Sequence, residues 1–183
     1  MYAYDDAACD ARVAAAEALV AARGPGSLRG KLAELVAALA AGVRPGAAVV
    51  VTGYARFFGG DGRGECPLPF PPARQRTRLD ALSVAVNALI EEATTAARGA
   101  GATGPGVVVA YADVDARFEG HRFCDAAETE DGVWDWWFNY KVRETRTDER
   151  GRRYEEVAPF HPTWEGQGAY LEAVQRAIGC LSL

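Results

Sequence analysis

The sequence holds two histidines, and one of them stands where chemistry could be done. In Pro159-Phe160-His161-Pro162-Thr163 the imidazole sits in a proline-flanked loop, and Thr163 is placed to cap the helix that follows. Imidazole is the side chain that titrates nearest neutrality, so a histidine held in such a loop can take a proton from a hydroxyl and return it to a leaving group. The plain alternative is a histidine that hydrogen-bonds its own loop. A base also needs a nucleophile, and the sequence contains three serines. Ser27 precedes a helical run as its N-cap, Ser83 falls inside a helix and Ser182 lies in the C-terminal tail. None stands in a nucleophile elbow.

Other chemistries find less support. Cys9, Cys66, Cys124 and Cys180 are too widely spaced for a zinc pattern, and no glycine-rich phosphate loop occurs, so neither a metal nor a cofactor is expected. Each cysteine can be read as a small buried apolar residue. Cys66 and Cys124, however, lie in Gly/Pro-rich or polar loops, where a disulfide joining the loops that leave two neighbouring strands would be useful. Trp134, Trp136, Trp137, Phe138 and Tyr140 form an aromatic cluster. It reads either as alternate residues of a hairpin packed on a sheet or as one wall of an apolar substrate pocket.

The elements that must position these residues follow from periodicity. Ala7 to Ala22 and Leu28 to Ala41 are expected to be helical, the second with Leu28, Leu32, Leu35, Val36 and Leu39 at helix spacing and Gly42 as its stop. Ala47 to Tyr54 and Val107 to Val114 are short β-branched runs, of the kind covered on both faces in a parallel sheet. Between them, Thr77 to Arg98 places Leu79, Leu82, Val86, Leu89, Ile90 and Ala93 on one stripe. Strand, helix and strand make a βαβ unit, with His161 expected beyond the carboxyl ends of the strands, where open α/β sheets hold their ligands. The last helix should turn Leu171, Val174 and Ile178 inward. Its Gly166 and Gly168 cost helix propensity, which suggests close backbone packing. A hairpin is expected around Trp134 to Val142.

At 183 residues, with 49% apolar and 25% charged content, the chain suits one domain spanning residues 1–183. A net charge of −5 gives no basic face for nucleic acid. The one basic cluster, Arg143 to Arg153, alternates with acids and reads as a solvated loop. No apolar run is long enough for a membrane span, and no charged-then-apolar signal sequence opens the chain. Two parallel strands cannot close an α/β core, so the pattern looks like a fold whose first strands are missing. The outer edge of Ala47 to Thr52 would then be open to self-association.

The Pro159-to-Val174 run resembles the terminal histidine block of the SGNH (GDSL-type) hydrolases. "VVVTGYARFF" (Val49 to Phe58) and "FEGHRFC" (Phe118 to Cys124) are similar to strand and loop segments of the secreted fungal and actinobacterial esterases of that superfamily. With the first helix, "DDAACDARVAAAEALV", which resembles the segment that follows the Asn block in relatives, these stretches run from the first helix to the last. The resemblance implies a three-layer αβα, flavodoxin-like parallel sheet and a secreted enzyme that cleaves lipid, acyl or acetylated-sugar esters. It also implies His161 as general base, with a serine nucleophile from a Gly-Asp-Ser block and oxyanion donors from a Gly and an Asn. No Gly-Asp-Ser and no Gly-Xaa-Asn-Asp block occurs here. The chain is therefore expected to be a C-terminal portion, inactive alone, or a non-catalytic binding remnant. Where the family often places an orienting aspartate, this sequence has Ala158, which leaves a backbone carbonyl, the favoured choice, or Glu155 or Glu156 to orient the ring. His121 matches the loop rather than the chemical block. Cys9, whose counterpart in relatives pairs within the absent segment, is expected to be unpaired.

Overall fold

The computed structural model describes residues 6–59, 71–99, 104–125, 136–139, 144–147, 150–151, 153–156 and 160–179. Helix α1 (Asp6–Ala21) is rich in alanine and buries little apolar volume, with Val13 its one buried residue. It is held to the fold by charge instead. Arg78 forks onto Glu17 at 2.9 and 2.7 Å and reaches Asp10 at 3.2 Å, while Arg74 meets Asp10 at 2.8 Å. The Glu17 carboxyl is lowered by its hydrogen bond to Arg78. Helix α2 (Leu28–Gly42) begins where the sequence places it, because the Ser27 hydroxyl accepts the Gly30 N–H at 3.2 Å.

Strands β1 (Ala48–Thr52) and β2 (Val108–Ala112) are parallel neighbours, with Ala48 opposite Val108 and Thr52 opposite Ala112. Helix α3 (Ala73–Gly99) joins them. It starts earlier than its apolar stripe does, since the Pro72 carbonyl accepts the Gln75 and Arg76 N–H groups and opens a polar first turn. That turn is buried all the same: Gln75 is fully enclosed and donates to Asp10 of α1 at 3.1 Å. Helix α4 (Trp164–Gly179) packs on the opposite face of the sheet.

Alternation along β1 divides the core. Val49 and Val51 pack with Val36, Ala40, Ala93, Ala97 and Val109 on the α2 and α3 side, whereas Val50 packs with Ala112, Phe118, Phe138, Ala169 and Ala173 on the α4 side. The result is a three-layer αβα arrangement. β2 is buried at Val109, Ala110 and Ala112. β1, expected to be covered on both faces, is exposed at Ala48 and only half-buried from Val49 to Thr52. Among the described residues its far side pairs with no strand.

Three expectations are corrected. The hairpin expected around Trp134 to Val142 falls largely outside the described residues, but a hairpin does form from β3 (Glu144–Thr147) and β4 (Arg153–Glu156), with Gly151 at φ 74 in its turn. It therefore lies in the charged cluster read as a loop, whose β-branched and charged residues alternate too weakly to signal a strand. In α4 the fully buried positions are Gly166, Ala169 and Ala173; of the three larger residues expected to face inward, Val174 packs half-buried against that core, whereas Leu171 is 57% exposed. Small residues let that helix approach the sheet closely and leave its larger ones at the flank. Of its two early glycines only Gly166 is tightly packed; a Cβ on Gly168 would meet open space.

Candidate active site

His161 stands in the turn that enters α4. Its side is open: Phe160, His161 and Trp164 are all exposed, at 64% for Phe160 and 87% for Trp164. The backbone beneath is firmly held. Phe138 bridges Pro162 in antiparallel fashion, the Asn139 N–H donates to the His161 carbonyl at 2.8 Å and the Thr163 N–H donates to the Trp137 carbonyl at 2.8 Å. Phe160 adopts φ 67, in the left-handed region that a bulky residue occupies at a cost. The Thr163 hydroxyl then caps α4 by accepting the Gly166 N–H at 3.3 Å, as the sequence indicates. Glu165, in the first turn, has its carboxyl lowered by its own backbone amide and then by the Thr163 hydroxyl.

Gly166 fixes how near α4 comes. A Cβ there would lie 2.5 Å from the Trp137 carbonyl oxygen and 2.8 Å from the Pro162 Cβ, so no side chain fits without displacing the histidine turn or its supporting segment. Phe57, in the loop that leaves β1, touches the Phe160 ring at 4.7 Å and the Phe138 ring at 5.0 Å between centroids. These contacts hold the histidine turn at the carboxyl end of β1, where open α/β sheets place their ligands.

Charges tie the loops at that end together. Asp115 accepts the Arg56 N–H and Nε–H, both at 2.8 Å, and meets the nearly enclosed Arg122 guanidinium at 3.2 Å. Asp80 of α3 accepts the Phe58 N–H at 3.1 Å, and burial raises its pKa to about 6 despite that hydrogen bond and the pull of Arg56 and Arg122. Asn87, also on α3, exchanges hydrogen bonds with the Tyr54 backbone at 2.8 and 2.7 Å. Sequence reasoning missed Asp80, Asn87, Asp115 and Asn139. Only Asp115 carried a signal, as an acid just past a strand.

His121 lies in a different setting. Its ring stacks flat on Trp137, with centroids 3.8 Å apart and planes 5° apart, and its carbonyl accepts the Trp137 N–H at 2.9 Å. Trp136 is buried against Phe123 at 4.3 Å and donates to the Asp125 carbonyl at 3.3 Å. Trp134 and Tyr140 lie outside the described residues, as do Ala158, Cys66, Cys180 and Ser182. Cys124 is buried, at φ 72, and is disulfide-bonded, whereas Cys9 is free. Ser27 caps α2, and Ser83 donates to the Leu79 carbonyl within α3 at 3.3 Å. Among the described residues, no group of three or more His, Cys, Asp and Glu is placed to hold a metal ion, and no helix is long and apolar enough to cross a membrane.

The fold is that of SGNH-type hydrolases, the family that the sequence motifs resemble. Two solved structures show it. The phospholipase A1 from Streptomyces albidoflavus NA297 is 25% identical with a TM-score of 0.64, and the extracellular lipase from Streptomyces rimosus is 28% identical with a TM-score of 0.59. Each match covers 94% of this chain and 58% of the neighbour, so the chain spans a little over half of either enzyme. A scan against protein-family models and a search of the curated proteins each found no match.

Proposed function

We propose that this chain is the histidine-bearing portion of an SGNH-type carboxylic ester hydrolase acting on lipid or other acyl esters. The reading rests on one coincidence: in a fold shared with a phospholipase A1 and a lipase, the histidine before the last helix is exposed in a clamped turn. His161 takes the proton of a serine hydroxyl as the oxygen attacks the ester carbonyl, and backbone or amide donors stabilise the tetrahedral oxyanion. The protonated imidazole then gives that proton to the departing alcohol, and water repeats the sequence on the acyl-enzyme. No metal or cofactor takes part. A backbone carbonyl, rather than Glu155 or Glu156 of β4, orients the ring, so the pair is a serine–histidine dyad.

The serine comes from a Gly-Asp-Ser block outside these 183 residues, since the two serines in described positions already serve in helices. A segment that brings it would pair with the open side of β1. In its absence that edge favours self-association. Cys124 pairs with Cys66, linking the loops after β1 and β2 in a secreted protein. Trp137, with Trp134, borders the acyl pocket, and Trp136 supports it from behind.

The second reading, a non-catalytic SGNH-like binding domain, is favoured by the missing nucleophile alone. An ester assay separates them. The 183-residue chain should not turn over p-nitrophenyl esters or take a fluorophosphonate label, whereas a chain joined to a Gly-Asp-Ser-bearing upstream segment should do both. Failure of the joined, folded chain to hydrolyse any ester would leave the binding domain as the better account.

A further inference from the structure

We infer that Asn139 is a positioning residue for His161, an inference that rests on the reading of His161 as general base. Three hydrogen bonds join Asn139 to the Phe160-His161 dipeptide, and they run in both directions. The Asn139 main-chain N–H donates to the His161 carbonyl at 2.8 Å, its Nδ2 donates to the same oxygen at 3.2 Å, and its own carbonyl accepts the Phe160 N–H at 2.7 Å. A bulky residue at φ 67 persists only where its surroundings over-determine it. Here they do. The peptide groups on both sides of the Phe160–His161 bond are held by one residue, so the histidine backbone is fixed and its ring keeps only side-chain rotations.

Two of the three bonds are made by the main chain and would survive most substitutions at 139. The Nδ2 bond is the part that asparagine alone supplies. It engages the second lone pair of the His161 carbonyl, leaving that oxygen no capacity to draw the imidazole N–H back onto its own backbone. The ring is thereby free to meet a different carbonyl on one nitrogen and a substrate hydroxyl on the other. His121 is the natural reference, since its carbonyl binds the same segment at Trp137 while its ring is held by stacking.

The test needs no catalysis, which keeps it distinct from the test of the general base. With only two histidines in the sequence, the ring signals of both can be followed by NMR in the 183-residue chain. Asn139→Ala should shift and broaden the His161 ring resonances, leave those of His121 in place, and raise amide exchange at Phe160 roughly five- to tenfold, as expected for one lost hydrogen bond. Asn139→Asp, of the same shape but without the donor, should do likewise above the carboxylate pKa and match the parent's spectrum at the same pH once the acid protonates and can donate again. If both variants fold and the His161 ring signals stay where they were, Asn139 does not position the histidine. If Asn139→Ala fails to fold, the aspartate titration alone decides: a His161 spectrum that does not respond to the carboxyl overturns the inference.

Discussion

The two histidines are bound to one short segment, residues 137–139. Trp137 donates its N–H to the His121 carbonyl and Asn139 donates to the His161 carbonyl, so main-chain hydrogen bonding barely distinguishes them. Their rings part company. His121 lies flat on Trp137, where stacking fixes it and covers one face, whereas His161 projects from an exposed turn whose strain is absorbed by its neighbours. Of the two, only His161 joins a backbone held by its neighbours to a side chain left exposed.

The sharpest way to break this contrast is activity. In a chain joined to a Gly-Asp-Ser-bearing segment, His161→Ala should lower kcat/KM for a p-nitrophenyl ester by roughly 10²–10⁴-fold, and His121→Ala by far less. Equal losses would make the stacked histidine a participant. Next in size is Gly166→Ala, which forces a Cβ against the Trp137 carbonyl and Pro162. Thermal or denaturant unfolding should show about 1–3 kcal/mol of lost stability, with the His161 turn displaced more than His121. Gly168→Ala, facing open space, is the control and should be neutral or slightly stabilising.

Asp80 sharpens the comparison through the loop after β1, whose Phe57 touches Phe160 and whose Phe58 bridges Phe123. Its folded pKa, about 6, stands above its ordinary value of 3.8. The protonated form is thus favoured by folding: the contribution is fully present below about pH 4 and is lost as pH rises through 6. Unfolding free energy should fall across that window by about 1 kcal/mol, after allowance for solvent screening of a partly exposed group. Asp80→Asn, which keeps an acceptor for the Phe58 N–H, should flatten the fall; an unchanged pH profile would show that the carboxyl titrates normally. Apart from the Gly168 control, the smallest effect is expected of Phe160→Gly. Relief of the left-handed backbone offsets the lost edge contact with Phe57, leaving stability within about 1 kcal/mol of the parent.

Much of this arrangement was legible in the residues. The βαβ unit, the caps at Ser27 and Thr163 and the place of His161 follow from local patterns, because periodicity and capping act over a few neighbours. The parts that were not legible depend on contacts distant in the chain. Asn139 and Asn87 look like ordinary polar residues until the fold brings a backbone against each amide. Leu171 obeyed helical spacing yet points outward, because Ala169 and Ala173 set the line of closest approach. The β3–β4 hairpin was hidden in a charged stretch, and half-burial of β1 depends on what lies beside it rather than on its valines.

Gly166 changes what the histidine motif itself records. The interval from His161 to Gly166 carries the chain through Pro162 and one helical turn, back to the point where α4 meets the Trp137 carbonyl. A glycine at that interval is a statement about clearance, and a relative could change its catalytic partners without touching it. Conversely, a sequence that keeps the histidine and proline but carries a larger residue five positions on should have moved its last helix outward. In a search for distant members, the spacing would then report the tilt of a helix sooner than the survival of an enzyme.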